Sequence, residues 1–422
     1  MSENNGLYGF ELEFIVTTKD GVVANEVDNL LPILADEYEI NAGNVSLPQQ
    51  YISGSFVGEL SHGVIEYNSL PFSSLTELER RSRADLLRSN EVCAANGLKI
   101  VPVSQLGPGE ALKLRTDKAR YIFLRHLLGE HSINTYKAVC GTHIHLDRKT
   151  ESDALKGQYN LLQSLDPVFV LLSTSPFLKG TNTFNVSRVQ ACRNQIFSDF
   201  PLHGQLVDYI DSIEQLGQLN QLRVSELLKF ISDKPWLEVC FDEYDGCWGP
   251  IRLKPKTIEP RNSDANLLSL IIAKIALYKG VCSYVFDKGL DIKVGTGSEN
   301  YRITDSEIIL PSYPQLKNME FCGAVHGLKS ETIYQCLSYL VGLAKDGLSH
   351  EEHKYLMPFN HMLQARRNIA DVLFDYASDV GLQSPHTIGN QTAEALYMFM
   401  WSLYQRDLTG RLDLGDIIKN PV

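Results

Sequence analysis

The stretch Gly141-Thr142-His143-Ile144-His145-Leu146-Asp147 decides how the rest of the chain is read. Thr and Ile favour extended backbone, so the two histidines fall on one side of a strand, about 7 Å apart. Neutral imidazole is the commonest protein nitrogen donor to divalent ions, and this spacing suits it to that use. Two histidines on a half-exposed strand are also common for structural reasons alone. The motif gains meaning from three carboxylate-bearing stretches that can converge on it.

The first is Gly9-Phe10-Glu11-Leu12-Glu13-Phe14-Ile15-Val16. Its alternation puts Phe10, Leu12 and Phe14 on one face and Glu11 and Glu13 on the other. Like charges on one strand face repel, and a divalent ion beside them turns that cost into a gain. The second stretch carries Glu59 and Glu66, with Gly58 and Gly63 permitting a turn and Val64-Ile65-Glu66-Tyr67 reading as a strand. In the third, Thr257-Ile258-Glu259-Pro260-Arg261, a carboxylate and a guanidinium sit two residues apart on one face at a strand end. Taken singly, each acid has a plainer reading as a solvated surface group.

The 422 residues could form two or three domains or one large enzyme domain. Apolar residues make up 44% and charged residues 21%, the balance of a soluble globular chain. A net charge of -12 argues against nucleic acid and against an anionic membrane as partners. Eight cysteines without a CxxC pair are neither a disulfide scaffold nor a zinc ribbon, which fits a reducing compartment. The N-terminus has no basic region followed by an apolar core, and the most apolar run, 267–286, contains Lys274 and Lys279 and reads as a buried helix. A cytoplasmic location is expected.

Along the chain, helical potential lies around 27–38, and Ser74-Leu75-Thr76-Glu77 reads as a capping box opening a helix that Gly97 closes. Arg80, Arg81 and Arg83 form its solvated face. Residues 98–103 form a short strand, 121–128 a short helix, and 150–174 a helical stretch broken near Pro167. Arg188 and Arg193, five apart, each read in isolation as half of a surface salt bridge. A helical region covers 206–231, a strand 236–241 and an exposed acidic turn 242–246. Asp264 or Ser263 can cap the apolar helix that follows. Residues 286–328 are polar and punctuated by Gly and Pro. From Glu331 onward the pattern is three or four helices, at 331–344, 350–380 with breaks, and 391–407.

Several of these motifs, taken together, resemble one family. Gly9–Phe14, the Glu59/Glu66 pair, Gly141–His145 and Ile258-Glu259-Pro260-Arg261 occur in the order seen in the glutamine synthetase-like superfamily. The closer resemblance is to glutamate–cysteine ligase family 2, the ATP-dependent carboxylate–amine ligases. Ser175-Pro176-Phe177, Arg193-Asn194-Gln195-Ile196-Phe197-Ser198 and Trp248-Gly249-Pro250-Ile251-Arg252 are similar to further segments of it. The resemblance spans about residues 6–282. Three features depart from the pattern: Pro260 between the glutamate and the arginine, Leu253 after Arg252, and the whole of 286–328.

The resemblance implies an α+β fold: an antiparallel sheet curved into a glutamine synthetase-like funnel, helices outside, and a helical C-terminal region. Residues 1–285 would form the catalytic domain, 286–330 a loop or lid-like insertion, and 331–422 a helical region packed on the catalytic part. It further implies amide formation from a glutamate-like carboxylate and an amine, through an acyl phosphate made with ATP. Glu11, His143 and Glu259 would hold the Mg²⁺ ion nearest the ATP phosphates. Glu13, Glu59 and Glu66 would hold the ion or ions near the substrate carboxylate, with Mn²⁺ as an alternative metal. Arg252 and Arg261 would contact the γ-phosphate, Arg193 a phosphate or a substrate carboxylate, and His145 would stand behind the ligands or touch a substrate. The partners implied are small molecules, with a homo-oligomer left open. Two other readings share the site: a guanidino-kinase-like phosphotransferase, and a degenerate nucleotide-binding regulatory protein.

Overall fold

The computed structural model describes residues 6–39, 53–109, 112–182, 184–229, 248–384 and 386–419. The strand expected over 236–241 and the acidic turn at 242–246 lie outside the described residues. Strand β1, Tyr8–Thr18, is the spine of the main sheet. Phe10, Leu12 and Phe14 are buried on one of its faces, while Glu11 and Glu13 are half-buried on the other. The β-branched run Ile15-Val16-Thr17-Thr18 extends the strand, and Gly21, at φ 89°, turns the chain back so that Ala24 N–H can donate to the Val16 carbonyl.

Seven more strands complete this sheet: β2 (Ser55–Gly58), β3 (Val64–Asn68), β4 (Leu98–Val101), β5 (Gly141–Asp147), β6 (Ile251–Leu253), β7 (Thr257–Pro260) and β8 (Ser263–Asp264). Their order is β2-β3-β1-β5-β7-β6, with β4 on the far half of β1 and β8 on the start of β5. Every pairing is antiparallel. The register sets Glu13 opposite Glu66 and Glu11 opposite His143. Cross-strand partners share a face, so residues far apart in sequence meet on the polar side of the sheet.

The apolar side is covered by helices. Leu268–Asp287 is apolar all round and lies in the core, as the reading of 267–286 expected. It is the one described helix long and apolar enough to cross a membrane, and 72% of that window is buried inside the fold. Helix Glu331–Gly347 crosses it where a side chain at Gly280 would strike the Ala344 carbonyl and one at Gly347 the Gly280 carbonyl. Helices Met357–Ala365, Ile369–Val380, Asn390–Leu408 and Leu414–Lys419 follow. One apolar cluster runs from Phe10 on β1 to Ile418 in the last helix.

Several local expectations change. The stretch 286–330 is not irregular: it carries β9 (Asp291–Val294), β10 (Arg302–Ile303) and β11 (Glu307–Leu310) in a small sheet, then helix Tyr313–His326. The capping box at Ser74 is half formed: Ser74 accepts the Glu77 N–H, but the Glu77 carboxylate turns to Arg80. Arg80 stays at the surface, whereas Arg83 reaches inward to the Asp407 carbonyl. Residues 206–212 are not helical; the helix there is Ile213–Lys229. Asp264 does not cap the core helix, because the Thr174 N–H and the Ser175 hydroxyl claim its carboxylate.

Lys274 lies wholly inside this core, its ammonium donating to Ser263 Oγ at 2.6 Å and Asn262 Oδ1 at 3.0 Å. Burial, with the nearby Arg188 charge, lowers its pKa from 10.5 to about 7. Between those values the folded chain binds fewer protons than the unfolded one, so stability rises with pH across that window. Lys274→Met removes this term. Urea unfolding at neutral pH and near pH ~10 should show the wild type gaining on the variant at the higher pH. A gap that does not change with pH would disprove the displaced titration.

Candidate active site

The polar face of the sheet presents two sets of acids, ordered along β1. At the Glu11 end, His143 Nδ1 lies 2.7 Å from Glu11 Oε2 and 3.7 Å from Glu259 Oε1. His145 Nε2 lies 2.9 Å from Glu11 Oε1, and its Nδ1 lies 3.2 Å from Thr257 Oγ1. Glu259 is fully buried. Arg252 grips it with two hydrogen bonds of 2.8 and 3.2 Å, and Arg261 with one of 2.6 Å. Lys254 sits 3.2 Å from Glu259 and 3.5 Å from Glu11.

At the other end, Glu13 accepts the Gly141 N–H at 2.5 Å and faces Glu66, which is buried and accepts from Asn68 at 3.1 Å. Glu59, just past β2, completes this end.

The two ends differ in charge balance. Burial alone would raise the Glu11 carboxyl, but hydrogen bonds from His143 and His145 hold it well below the usual range. Burial likewise opposes ionisation of Glu259, yet Arg261 and Arg252 bring it down to about 2. At Glu13, burial and the Glu59 charge outweigh the pull of Arg188 and Arg261 and push it up to about 8. Burial and the neighbouring acids also raise Glu66, and burial raises Glu59 against the pull of Arg120. Burial and Arg261 push His143 down to about 3, leaving a neutral ring with a lone pair to offer.

Carboxylate oxygens with one neutral imidazole suit a hard divalent ion such as Mg²⁺ or Mn²⁺. One donor atom each from Glu11, His143 and Glu259 lies within 4.8 Å of the others, and the same holds for Glu13, Glu66 and His143. The two sets share His143. Glu59 joins neither, but it lines the same cavity.

That cavity, of about 300 Å³, is bordered by eight of the ten expected site residues: Glu11, Glu13, Glu59, Glu66, His143, Arg193, Arg252 and Arg261. Glu259 is bonded to Arg252 and Arg261, which line the cavity, and His145 is bonded to Glu11, which also lines it. Arg193 also lines the cavity, but it is no surface salt bridge. It is 3% exposed and already faces Asp166 at 2.7 Å and Glu320 at 3.1 Å.

Four cations at the cavity were not assigned to the site from the sequence: Lys254, Arg120, Lys137 and Arg188. Lys254 carried a usable signal, since it follows Arg252 by two residues and so shares its side of the chain. Arg188, read as a surface residue, is 6% exposed. Arg188 lies in the short helix Ser187–Gln190 and Arg193 in the π turn Ala191–Ile196 that follows it, and both line the same cavity.

Residues 7–223, just over half of the chain, match a family of ATP-dependent carbon–nitrogen ligases, which makes the class that of an enzyme. The family is glutamate-cysteine ligase family 2, and the chain belongs to it. No curated protein sequence matches the chain. Among solved structures, it is similar to a glutamate–cysteine ligase from Francisella tularensis determined in complex with AMP, at 13% identity and a TM-score of 0.55, covering 99% of this chain and 92% of that one. A bifunctional glutathione synthetase from Pasteurella multocida gives the same identity and TM-score, covering 99% of this chain. The chain spans 55% of that protein's length. At this identity the likenesses establish a shared fold: a mixed α/β architecture with an antiparallel sheet and many helices.

Proposed function

We propose that the chain is an ATP-dependent carboxylate–amine ligase that forms an amide bond of the γ-glutamyl type through an acyl phosphate. The observation that carries this reading is the packing of Glu11, His143 and Glu259 under Arg252, Arg261 and Lys254. A carboxylate does not condense with an amine at neutral pH because its leaving group is poor. Phosphorylation by ATP supplies a better one, and transfer of that phosphoryl group needs positive charge around it. Arg252, Arg261 and Lys254 supply this charge in fixed positions, so little reorganisation is needed during transfer.

Glu11, His143 and Glu259 would hold one Mg²⁺ (or Mn²⁺), and Glu13, Glu59 and Glu66 a second near the substrate; such ions offset phosphate charge. His145 orients Glu11 through its 2.9 Å hydrogen bond. The excess negative charge at Glu13, Glu59 and Glu66 supports a cation there. The antiparallel sheet with acids on its polar face supports the glutamine synthetase-like funnel. Residues 1–285 are read as the catalytic unit and 331–422 as its helical support.

The test is direct. The protein is incubated with Mg²⁺, ATP, L-glutamate and a panel of amines that includes cysteine. ADP, phosphate and an amide should form in equal amounts. ADP release without any amide counts against the proposal, and a phosphorylated guanidino product would turn it toward a kinase.

A further inference from the structure

Among the described residues, none after Asn262 lines the cavity, yet the C-terminal helices hold one of its walls. That wall is the stretch 187–196, which carries Arg188 and Arg193. Asn185, just ahead of it, is where the helices reach it. Its Nδ2 donates to Asp371 Oδ1 at 3.3 Å, and its Oδ1 accepts from Asn368 Nδ2 at 3.2 Å. Its carbonyl accepts from Ser173 Oγ at 3.1 Å.

The direction of these bonds is fixed at both ends. An ionised carboxylate only accepts, so Asp371 orients the Asn185 amide. The Val170 carbonyl, 2.9 Å from Asn368 Nδ2, does the same for Asn368. Asn368 Oδ1 and Asp371 Oδ2 form the capping box of helix Ile369–Val380, with bonds of 3.1 and 3.0 Å. The cap leaves Asn368 Nδ2 and Asp371 Oδ1 over, and both turn to Asn185, the latter also receiving the exposed Lys329 at 3.1 Å. Contacts to a side chain outside the helix add nothing to its cap; they tether the wall. Gly327 makes room for the tether: at φ 56°, a Cβ there would lie 2.5 Å from Asn185 Oδ1. From the sheet side, Ser175 accepts the Ser187 N–H with its carbonyl and the Arg188 N–H with its hydroxyl, each at 3.1 Å. That hydroxyl donates in turn to Asp264 of β8. The start of the wall is therefore gripped between the sheet and the C-terminal helices.

We propose that Asn185 is a positioning residue, the latch by which the C-terminal helical region sets where Arg188 and Arg193 stand in the cavity. With the latch open, the cavity loses grip on its anionic substrates. The Glu259 end keeps its own arginines, so a substrate once bound still turns over. The effect on substrates rests on the ligase reading.

Asn185→Asp sets a second carboxylate against Asp371 and opens the latch. Adding Asp371→Asn rebuilds the bond with donor and acceptor exchanged, while Asn368 can donate to either side chain. Steady-state turnover of the full chain with Mg²⁺ is the first readout. Asn185→Asp should raise KM for L-glutamate or ATP at least about tenfold, the size of one charge-assisted hydrogen bond, with kcat within about threefold of the wild type. The double variant should recover most of that loss. The second readout is amide hydrogen exchange of the ligand-free chain, where 187–196 should exchange faster in Asn185→Asp and return to the wild-type rate in the double variant. Asn185→Ala, which deletes both side-chain contacts without adding charge, gives the answer if Asn185→Asp does not fold. Unchanged KM values, a fall in kcat alone, unchanged exchange, or a double variant no better than the single one would each overturn the proposal. Absence of amide product from the wild type sinks the ligase reading instead, and the exchange experiment then decides the latch by itself.

Discussion

Glu259→Gln is expected to lower the rate of ATP-dependent turnover by at least about a hundredfold, the usual cost of removing one preorganised charged group from such a site. The side chain keeps its size but gives up the charge that binds Arg252 at 2.8 Å, Arg261 at 2.6 Å and Lys254 at 3.2 Å. In the proposed reading it would also cease to offer an anionic donor to an ion beside Glu11 and His143. The fold should survive, because the new amide can still accept from one guanidinium; one mispaired buried group costs about 1–3 kcal/mol. Circular dichroism, Mg²⁺ titration and the ADP release rate separate these effects. A variant that turns over at the wild-type rate would remove Glu259 from the site.

Arg193→Met should act in the opposite sense, on stability before activity. Asp166 and Glu320 are 2% and 4% exposed, and both lean on this guanidinium. Removing it leaves buried Asp166 without its cation, while Glu320 keeps Lys317 at 2.7 Å, with a cost of about 3–5 kcal/mol. Asn262 Nδ2 also donates to Asp166, at 3.1 Å, so the strain passes to a residue of the cavity wall. Urea unfolding measures the loss. A variant as stable as the wild type, with only a raised KM for the acid substrate, would show instead that Arg193 contacts substrate.

Much of the placement of the candidate site's side chains is legible in the sequence, for a physical reason. A strand alternates with period two, so Phe10, Leu12 and Phe14 on one side place Glu11 and Glu13 on the other without further information. The same rule pairs His143 with His145 and Glu259 with Arg261. The register that sets Glu11 against His143 is a tertiary fact, and only the motif order hinted at it.

What stayed hidden is what depends on burial. Arg188 and Arg193 look like surface residues in a polar stretch, and their local sequence does not reveal a cavity or the partners at Asp166 and Glu320. The three strands of 286–330 stayed hidden because pieces as short as Arg302–Ile303 leave too few residues for a period to register. The half-formed cap at Ser74 failed for a related reason: Arg80 competes for Glu77, and propensity rules do not count rivals.

Strand β1 has two duties that cannot be separated. Its alternate side chains supply both the centre of the apolar core and the acids of the cavity. A pairing displaced by a single residue would turn both glutamates into the interior and Phe10, Leu12 and Phe14 out to water. No well-packed misfold of this sheet can therefore keep its stability while losing its chemistry. Quality control that senses exposed aromatic surface would, in this protein, also be sorting active molecules from inactive ones.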